Sequence, residues 1–430
     1  MTITVIGHGY VGLVTACVFA DFGNHVWVIG HTKEKLALLK SGDPIIYEPG
    51  LKELLQKNIE AKRISFTMDY EKAIPESEIV FITVGTPPKE TGEADLTAVI
   101  DVARSIGKNL KSKFTVVSCK STVPVGTNKK IEVIINRHKS KQVDFAVASC
   151  PEFLREGTAI SDTINADRVI IGSDNKKAVE KLMILHKPIN GKRVITNLAS
   201  AEMIKYASNV FLANKISFAN LISFYCEKSG ANVNEVLTGV GIDARIGNKF
   251  LSPGLGYGGS CLPKDVKAFL DIGKRMSVDT QLLTAIENIN TKAQENFLKK
   301  IISNSPGKKV AVWGLSFKPN TDDIRFAPSV YLIEKLLENG FQINTYDQEA
   351  ANNIKKIFSN KISYSKDPYH AVNKVDALIV VTEWNEFKQI DLNKVKKLMK
   401  NPTIFDGRNI YDPTDLKKLG FKYYSIGRPQ

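Results

Sequence analysis

The sequence contains no uninterrupted apolar run of the ~18 residues needed for a membrane-crossing helix. Its opening, MTITVIGHGY, predicts a strand and a glycine turn in place of a signal peptide. Together these point to a cytoplasmic protein with no membrane partner. Cysteine is scarce: Cys17, Cys119, Cys150, Cys226 and Cys261 are all there is in 430 residues. An odd number at wide spacings excludes a complete disulfide framework and offers no CxxC pair, so no metal site is expected and at least one thiol is free. Long runs of one charge are also lacking. The net charge of +14 comes from lysines scattered through helical stretches, such as Lys394, Lys396 and Lys397. Without interleaved aromatics they do not predict a nucleic-acid face; the excess suits anionic small molecules.

What is present is a globular composition, 43% apolar and 24% charged. The chain is too long for one core, which predicts two or three domains. From residue 1 to about 196, β-branched runs alternate with helical stretches: TITVIG, HVWVIG, EIVFITVG, FTVVSCKST, DFAVASCPE and RVIIGS. That rhythm predicts a parallel sheet with crossover helices. Residues 197–305 change to long helical periodicity, with Met203, Ile204, Ala207, Val210 and Phe211 on one face. At Pro306-Gly307 the punctuation resets. KKVAVWGLS, FQINTYD, DALIVVTEW, NPTIFDGRN and YYSIG then predict a second sheet domain over 306–430. The expected fold is α/β, with two Rossmann-like doubly wound sheets joined by a long central helical segment. Apolar residues around that segment, at Phe218, Ala219, Leu221, Ile222 and Phe224, predict burial against both domains and a homodimer contact.

Four motifs carry chemistry. Gly7-His8-Gly9-Tyr10-Val11-Gly12 follows the first strand and opens a helix. This is the arrangement in which glycines let a pyrophosphate approach a helix N-terminus, and it makes 1–196 a dinucleotide-binding domain. The second strand, however, ends in Gly30-His31-Thr32-Lys33, where an NAD site places an acid for the ribose. With Lys33 and Lys35 nearby, NAD and NADP both remain open, and His31 is a candidate ribose contact.

In Gly256-Tyr257-Gly258-Gly259-Ser260-Cys261-Leu262-Pro263-Lys264-Asp265, Ser260 is a natural N-cap and Pro263 fits a first turn. Cys261 is thereby placed at a helix N-terminus, where the dipole and Lys264 favour the thiolate of a nucleophile. Asp265 lies one turn on. The other four cysteines sit in apolar runs and read as core. In the long helix, Lys205 and Asn209 share a face opposite the apolar stripe and suit an oxyanion. In Cys150-Pro151-Glu152-Phe153-Leu154-Arg155-Glu156, Glu152 or Glu156 ends a strand where open sheets bind ligands, and either could act as a base.

Taken together, GHGYVGL, YEPGL, VGTPP, KSTVPVGT, PEFLREGTAI, the Lys205 helix, GYGGSCLPKD, WGLSFKPNTDD and FDGRN resemble the UDP-glucose and GDP-mannose dehydrogenase family, in family order across the chain. The resemblance implies a four-electron oxidation of a primary alcohol with two NAD used in succession. Cys261 would be the nucleophile of a thiohemiacetal and then a thioester. Lys205 and Asn209 would hold the oxyanion, and Thr122, Asp265 and Glu152 or Glu156 would order and deprotonate water. It further implies cofactor contacts from Gly7, Gly9, Tyr10, Val11, Gly12, His31, Lys35, Thr86, Thr122, Glu156, Lys264 and Arg325.

Nucleotide-sugar contacts are implied at Glu152, Phe153, Leu154, Lys205, Asn209, Phe250, Gly258, Phe317, Lys318 and Arg408, with Arg245 reaching a partner's site. Phe326 follows Arg325 where the family usually has an acid, which bears on how that arginine is positioned. PEFLREG, GGSCLPKDV and the ending Tyr423–Arg428 are most similar to the UDP-glucose branch. The same chemistry on GDP-mannose or a UDP-hexosamine is the alternative. A non-catalytic nucleotide-binding relative is the rival from another class, and the intact Cys261, Lys205, Asn209 and Asp265 set speaks against it.

Overall fold

The computed structural model describes residues 1–111 and 114–429. By packing, the chain divides into two units. Met1–Ser208 with Lys267–Ile272 form one; Asn209–Val266 and the chain from Gly273 onward form the other.

The first unit is built on eight strands: β1 (Thr2–Ile6), β2 (His25–Ile29), β3 (Ile64–Thr67), β4 (Ile79–Ile82), β5 (Thr115–Cys119), β6 (Phe145–Ser149), β7 (Arg168–Gly172) and β8 (Lys192–Thr196). They lie in the order β3-β2-β1-β4-β5-β6-β7-β8. All pairs are parallel except β6 and β7, which meet only through the antiparallel pair Ser149 and Gly172. Side chains alternate between two cores. Ile3, Val5 and Phe81 pack with Leu13, Cys17 and Phe19 on one face, and Ile6, Val80 and Ile82 pack with Ile106 and Ile131 on the other. Burial on both faces is why these strands read as nearly continuous apolar runs. β3 and β8 escape the sequence reading for the complementary reason. β3 has four residues, and β8, Lys-Arg-Val-Ile-Thr, is exposed along much of its length.

The second unit carries β9 (Lys309–Trp313), β10 (Gln342–Tyr346), β11 (Ser363–Tyr364), β12 (Ala377–Val380), β13 (Thr403–Asp406) and β14 (Lys422–Tyr424), ordered β11-β10-β9-β12-β13-β14 and parallel throughout. Val310 and Val312 face one core; Ala311 and Trp313 face the other. Between the two sheets in sequence lie the helices Leu198–Ser229, Val233–Ile242, Leu262–Arg275 and Gln281–Asn304. The architecture is therefore the expected pair of parallel sheets with a long central helix of 32 residues.

The orientation of that helix corrects the sequence reading. The polar face is buried: Glu202, Lys205 and Asn209 are 3%, 4% and 7% exposed. From the stripe read as apolar, Ala207 is exposed and Phe211 is 63% exposed. The physical reason is pairing. Glu202, Lys205 and Asn209 each meet a polar partner within their own unit, and a buried polar group so satisfied is tolerated where an orphan is not.

Candidate active site

In the first unit, the turn after β1 is shaped by glycine. Gly7 has φ +115°, and a Cβ there would lie 2.6 Å from the Thr83 carbonyl oxygen. A Cβ on Gly12 would overlap the Gly7 carbonyl oxygen. Gly9, by contrast, has open space beside it and stands at the N-cap of helix α1 (Tyr10–Asp21) with no side chain to cap it. The first turn of the helix therefore opens onto this clearance, where its dipole favours a phosphate. Tight packing at Gly7 and Gly12 with clearance at Gly9 is what a pyrophosphate site demands, so the residues fit a dinucleotide. Tyr10 and Val11 open the helix, and the Tyr10 hydroxyl donates to the Tyr47 carbonyl. At the ends of β4 and β5, the Thr86 hydroxyl donates to the Thr122 carbonyl at 2.9 Å, which ties these two candidates together. At the end of β2, His31 and Lys35 are exposed.

The strand β6 delivers Glu152, and the long helix delivers Lys205 to meet it. The ammonium donates to the Glu152 carbonyl at 2.7 Å and to its carboxylate at 3.1 Å, with both side chains at least nine-tenths buried. The other Glu152 oxygen accepts from the Leu154 N–H at 2.7 Å. Phe153 lays its ring 3.9 Å from the Arg168 guanidinium and 5.2 Å from the Lys205 ammonium. Glu156 is 8% exposed in the same loop.

Three further residues in this region escaped the sequence reading. The Glu48 carboxylate accepts from the Gly157 and Ala159 N–H groups at 2.5 and 2.6 Å, pinning the loop that carries Glu152 and Glu156. Glu202 accepts from the Gly126 and Asn128 N–H groups at 2.7 and 2.8 Å, joining the KSTVPVGT loop to the Lys205 helix. Burial pushes its carboxyl above the usual range despite these bonds. Lys120 donates to the Cys150 carbonyl, and burial pulls its ammonium down, with Lys205 adding to the effect and Glu152 opposing it. No local pattern marks these residues, because their partners are far off in sequence; Glu48 and Gly157 are 109 residues apart. The one available signal was that Glu48 and Lys120 stand inside YEPGL and KSTVPVGT.

Cys261, in the second unit, is exposed, whereas the chain's other four cysteines are buried. Burial pushes the Cys17 and Cys119 thiols up to about 12 and raises Cys150 and Cys226 as well. These four are core residues. The helix begins at Leu262, and the Cys261 carbonyl accepts the first helical bond, from the Asp265 N–H at 2.9 Å. Cys261 itself, one residue later than expected from Ser260, is therefore the N-cap. Lys264, expected beside the thiol, donates to the Asp265 carboxylate at 2.5 Å. The second Asp265 oxygen accepts from the Asn209 amide at 2.6 Å, and Asp265 is 1% exposed. Lys264, Asp265 and Asn209 thus form one chain of hydrogen bonds in the first turn behind Cys261.

The glycine loop before Cys261 lies on the second sheet's carboxyl-end loops. Gly258 packs on Phe317 and the Phe326 carbonyl, and the Gly259 N–H donates to the Arg325 carbonyl at 2.9 Å. Arg325 is held by Asp323 through contacts of 2.7–2.9 Å, so a neighbouring acid does position it, from two residues before instead of one after. Arg408 donates to the Val381 carbonyl at 2.7 Å and meets Glu383 at 3.3 Å. The Lys318 ammonium stands 5.6 Å from the Phe317 ring. Two candidates stand apart from this group in the chain: Arg245, its side chain 89% exposed and clasped by Asp243, and Phe250, whose φ is +65°.

A dinucleotide-type glycine turn at the head of one parallel sheet and, in the other unit, an exposed cysteine capping a helix whose first turn carries the Lys264, Asp265 and Asn209 hydrogen bonds are features that suit a dinucleotide-dependent oxidoreductase of two-sheet architecture. Residues 1–190, 199–292 and 311–413 match, in turn, the NAD binding, central and UDP binding domains of the UDP-glucose/GDP-mannose dehydrogenase family. The chain is 45% identical to the UDP-glucose 6-dehydrogenase TuaD of Bacillus subtilis (strain 168) over 99% of its length and 93% of that protein's. It is 42% identical to a UDP-glucose 6-dehydrogenase of Pseudomonas aeruginosa over 100% and 98%. A UDP-glucose dehydrogenase structure from Pyrobaculum islandicum superposes with a TM-score of 0.93 at 34% identity, covering 100% of this chain and 98% of that one. The chain belongs to the UDP-glucose/GDP-mannose dehydrogenase family, and its cofactor is NAD.

Proposed function

We propose that this enzyme oxidises C6 of UDP-glucose from alcohol to carboxylate, releasing UDP-glucuronate, with Cys261 carrying the sugar between the two oxidations. The observation behind this reading is the exposed thiol of Cys261 at a helix N-cap, set against four cysteines whose burial keeps them protonated. UDP-glucose as substrate is supported by relatives that carry that activity in their names at 42–45% identity over nearly the whole chain.

When bound, NAD supplies the hydride acceptor, once for each oxidation. Cys261 sulfur adds to C6 at the aldehyde level, giving a thiohemiacetal whose oxygen is stabilised by the Lys205 ammonium and the Asn209 amide. Loss of a second hydride and the hydroxyl proton leaves a thioester. Water ordered by Thr122, Asp265 and Glu152 or Glu156 then cleaves the C–S bond, giving the carboxylate and returning the thiol. The Lys205 and Glu152 pair suits this cycle, since the ion pair fixes the ammonium in place within a buried site. Phe317, Lys318 and Arg408 would receive the uridine diphosphate, whose charge suits cations in a fixed frame.

A homodimer belongs to the same reading. Phe211, Phe218 and Tyr225 are 63%, 44% and 67% exposed at seven-residue spacing on the long helix, an apolar stripe suited to a second copy, with Arg245 reaching the partner's substrate. Since a nucleotide sugar and NAD are both cytoplasmic metabolites, the enzyme would act there.

The test is Cys261→Ser, assayed with UDP-glucose, GDP-mannose and UDP-N-acetylhexosamines. Wild-type enzyme should reduce two NAD per UDP-glucose and the variant should form no acid, with any trapped ester visible by intact-protein mass spectrometry. Acid formation at the wild-type rate by the variant would remove the thioester. Turnover confined to another sugar would replace the substrate.

A further inference from the structure

The carboxyl end of β2 differs from an NAD-selective site in more than its missing acid. A Cβ at Gly30 would lie 2.7 and 3.1 Å from Leu36 side-chain carbons and 3.4 Å from the His8 Nδ1. The position that normally carries the ribose-binding carboxylate is filled by its neighbours. His8, the first variable residue of the glycine turn, lies over this point, 4% exposed, with its ring 4.9 Å from that of His31. Its Nε2 is buried with no hydrogen-bond partner among the described residues. A buried nitrogen left so is costly unless something docks on it.

Beyond Gly30 the helix Lys33–Lys40 begins. Its N-cap, Thr32, makes no side-chain cap hydrogen bond, and Lys33 and Lys35 are exposed in its first turn with Glu34 between them. An open helix N-terminus, a free cap hydroxyl and two ammonium groups are an anion site by elementary electrostatics. A carboxylate at the end of the strand repels a 2′-phosphate; here β2 ends in Gly30, and Glu34 in the helix's first turn is outnumbered by Lys33 and Lys35.

We propose that the adenosine end of the cofactor site, formed by His8, His31, Thr32, Lys33 and Lys35 around Gly30, admits a 2′-phosphate, so that the enzyme binds NADP as well as NAD. The inference rests on the dinucleotide reading of the first unit and concerns only which dinucleotide it accepts. Lys33 and Lys35, both in the first turn, supply the positive charge for the phosphate. His8 and His31 replace the missing carboxylate at the ribose, and their rings can offer either a donor or an acceptor.

The experiment is equilibrium binding to the whole protein, by calorimetry, of 5′-AMP, adenosine 2′,5′-bisphosphate, NAD and NADP, with and without Lys33→Gln/Lys35→Gln. In the wild type the bisphosphate should bind about tenfold more tightly than 5′-AMP at low salt. That advantage should shrink as salt rises and vanish in the double variant when the bisphosphate is compared with 5′-AMP on the same variant. A bisphosphate that binds more weakly than 5′-AMP overturns the proposal, as does an advantage that survives the loss of both lysines. Binding of none of the four ligands would instead remove the dinucleotide site, a result distinct from either.

Discussion

At the scale of single residues, the most consequential contact is Lys205 with Glu152, a salt bridge buried on both sides. Removing one partner of such a pair strands the other charge. Lys205→Met should therefore lower unfolding free energy by about 3 kcal/mol in urea titrations, and the double variant with Glu152→Gln should recover much of that loss. Activity should fall more than about a hundredfold in both, because the proposed oxyanion donor is lost whichever way the fold is repaired. A single variant as stable as wild type would show that the ammonium is not what compensates Glu152.

At the scale of elements, the long helix turns Glu202, Lys205 and Asn209 inward and Phe211, Phe218 and Tyr225 outward, unlike a helix that packs only on its own core. Its inward side is stabilised by partners brought by other elements: the Glu202 carboxylate caps the helix Thr127–His138 through Gly126 and Asn128, and Asn209 anchors on Asp265. Its outward stripe at Phe211, Phe218 and Tyr225 is where the proposed homodimer would form. Phe211→Glu/Phe218→Glu should convert the dimer into a monomer in sedimentation velocity while circular dichroism stays unchanged. A wild-type protein that sediments as a monomer at micromolar concentration, or a double variant that stays dimeric, rules this interface out.

At the scale of the molecule, stability should depend on pH through a group remote from the chemistry. His186 is 2% exposed, edge-on to Phe19 and Phe81, and burial, with Lys120 adding to it, pulls its imidazole down to about 3. Its folded pKa is depressed, so the neutral ring's contribution is fully present above the unfolded value near 6.5 and is lost as pH falls toward 3. Each pH unit in that window costs about 1.4 kcal/mol, or about 2 kcal/mol between pH 7 and pH 5. His186→Gln should be less stable at pH 7 yet show a slope flatter by that amount in chemical denaturation. Equal slopes would mean that the ring is charged in the folded protein.

Much was legible because it is local. The rhythm of β-branched runs and helices marks two parallel sheets, since strands buried on both faces must be apolar throughout. The glycine turn after β1 and the Ser260-to-Asp265 segment predict a strand-to-helix turn and a helix start to within one residue, because turn and cap chemistry are read over a few neighbouring residues. Cys261 stands out from four cysteines in apolar runs by the same local logic.

Other features belong to tertiary structure alone, because they join residues far apart in sequence. Periodicity could say that Lys205 and Asn209 share a face, but not that this face is the buried one; that depended on Glu152 and Asp265 arriving from other elements. Glu48, Glu202 and Lys120 have no local signature, since a carboxylate that caps a distant loop looks like any surface acid until the loop is in place. At Gly30 the sequence could report only a missing acid. That Leu36 and His8 already occupy its space, leaving an imidazole pair and a lysine-flanked helix start in its stead, was decided by packing.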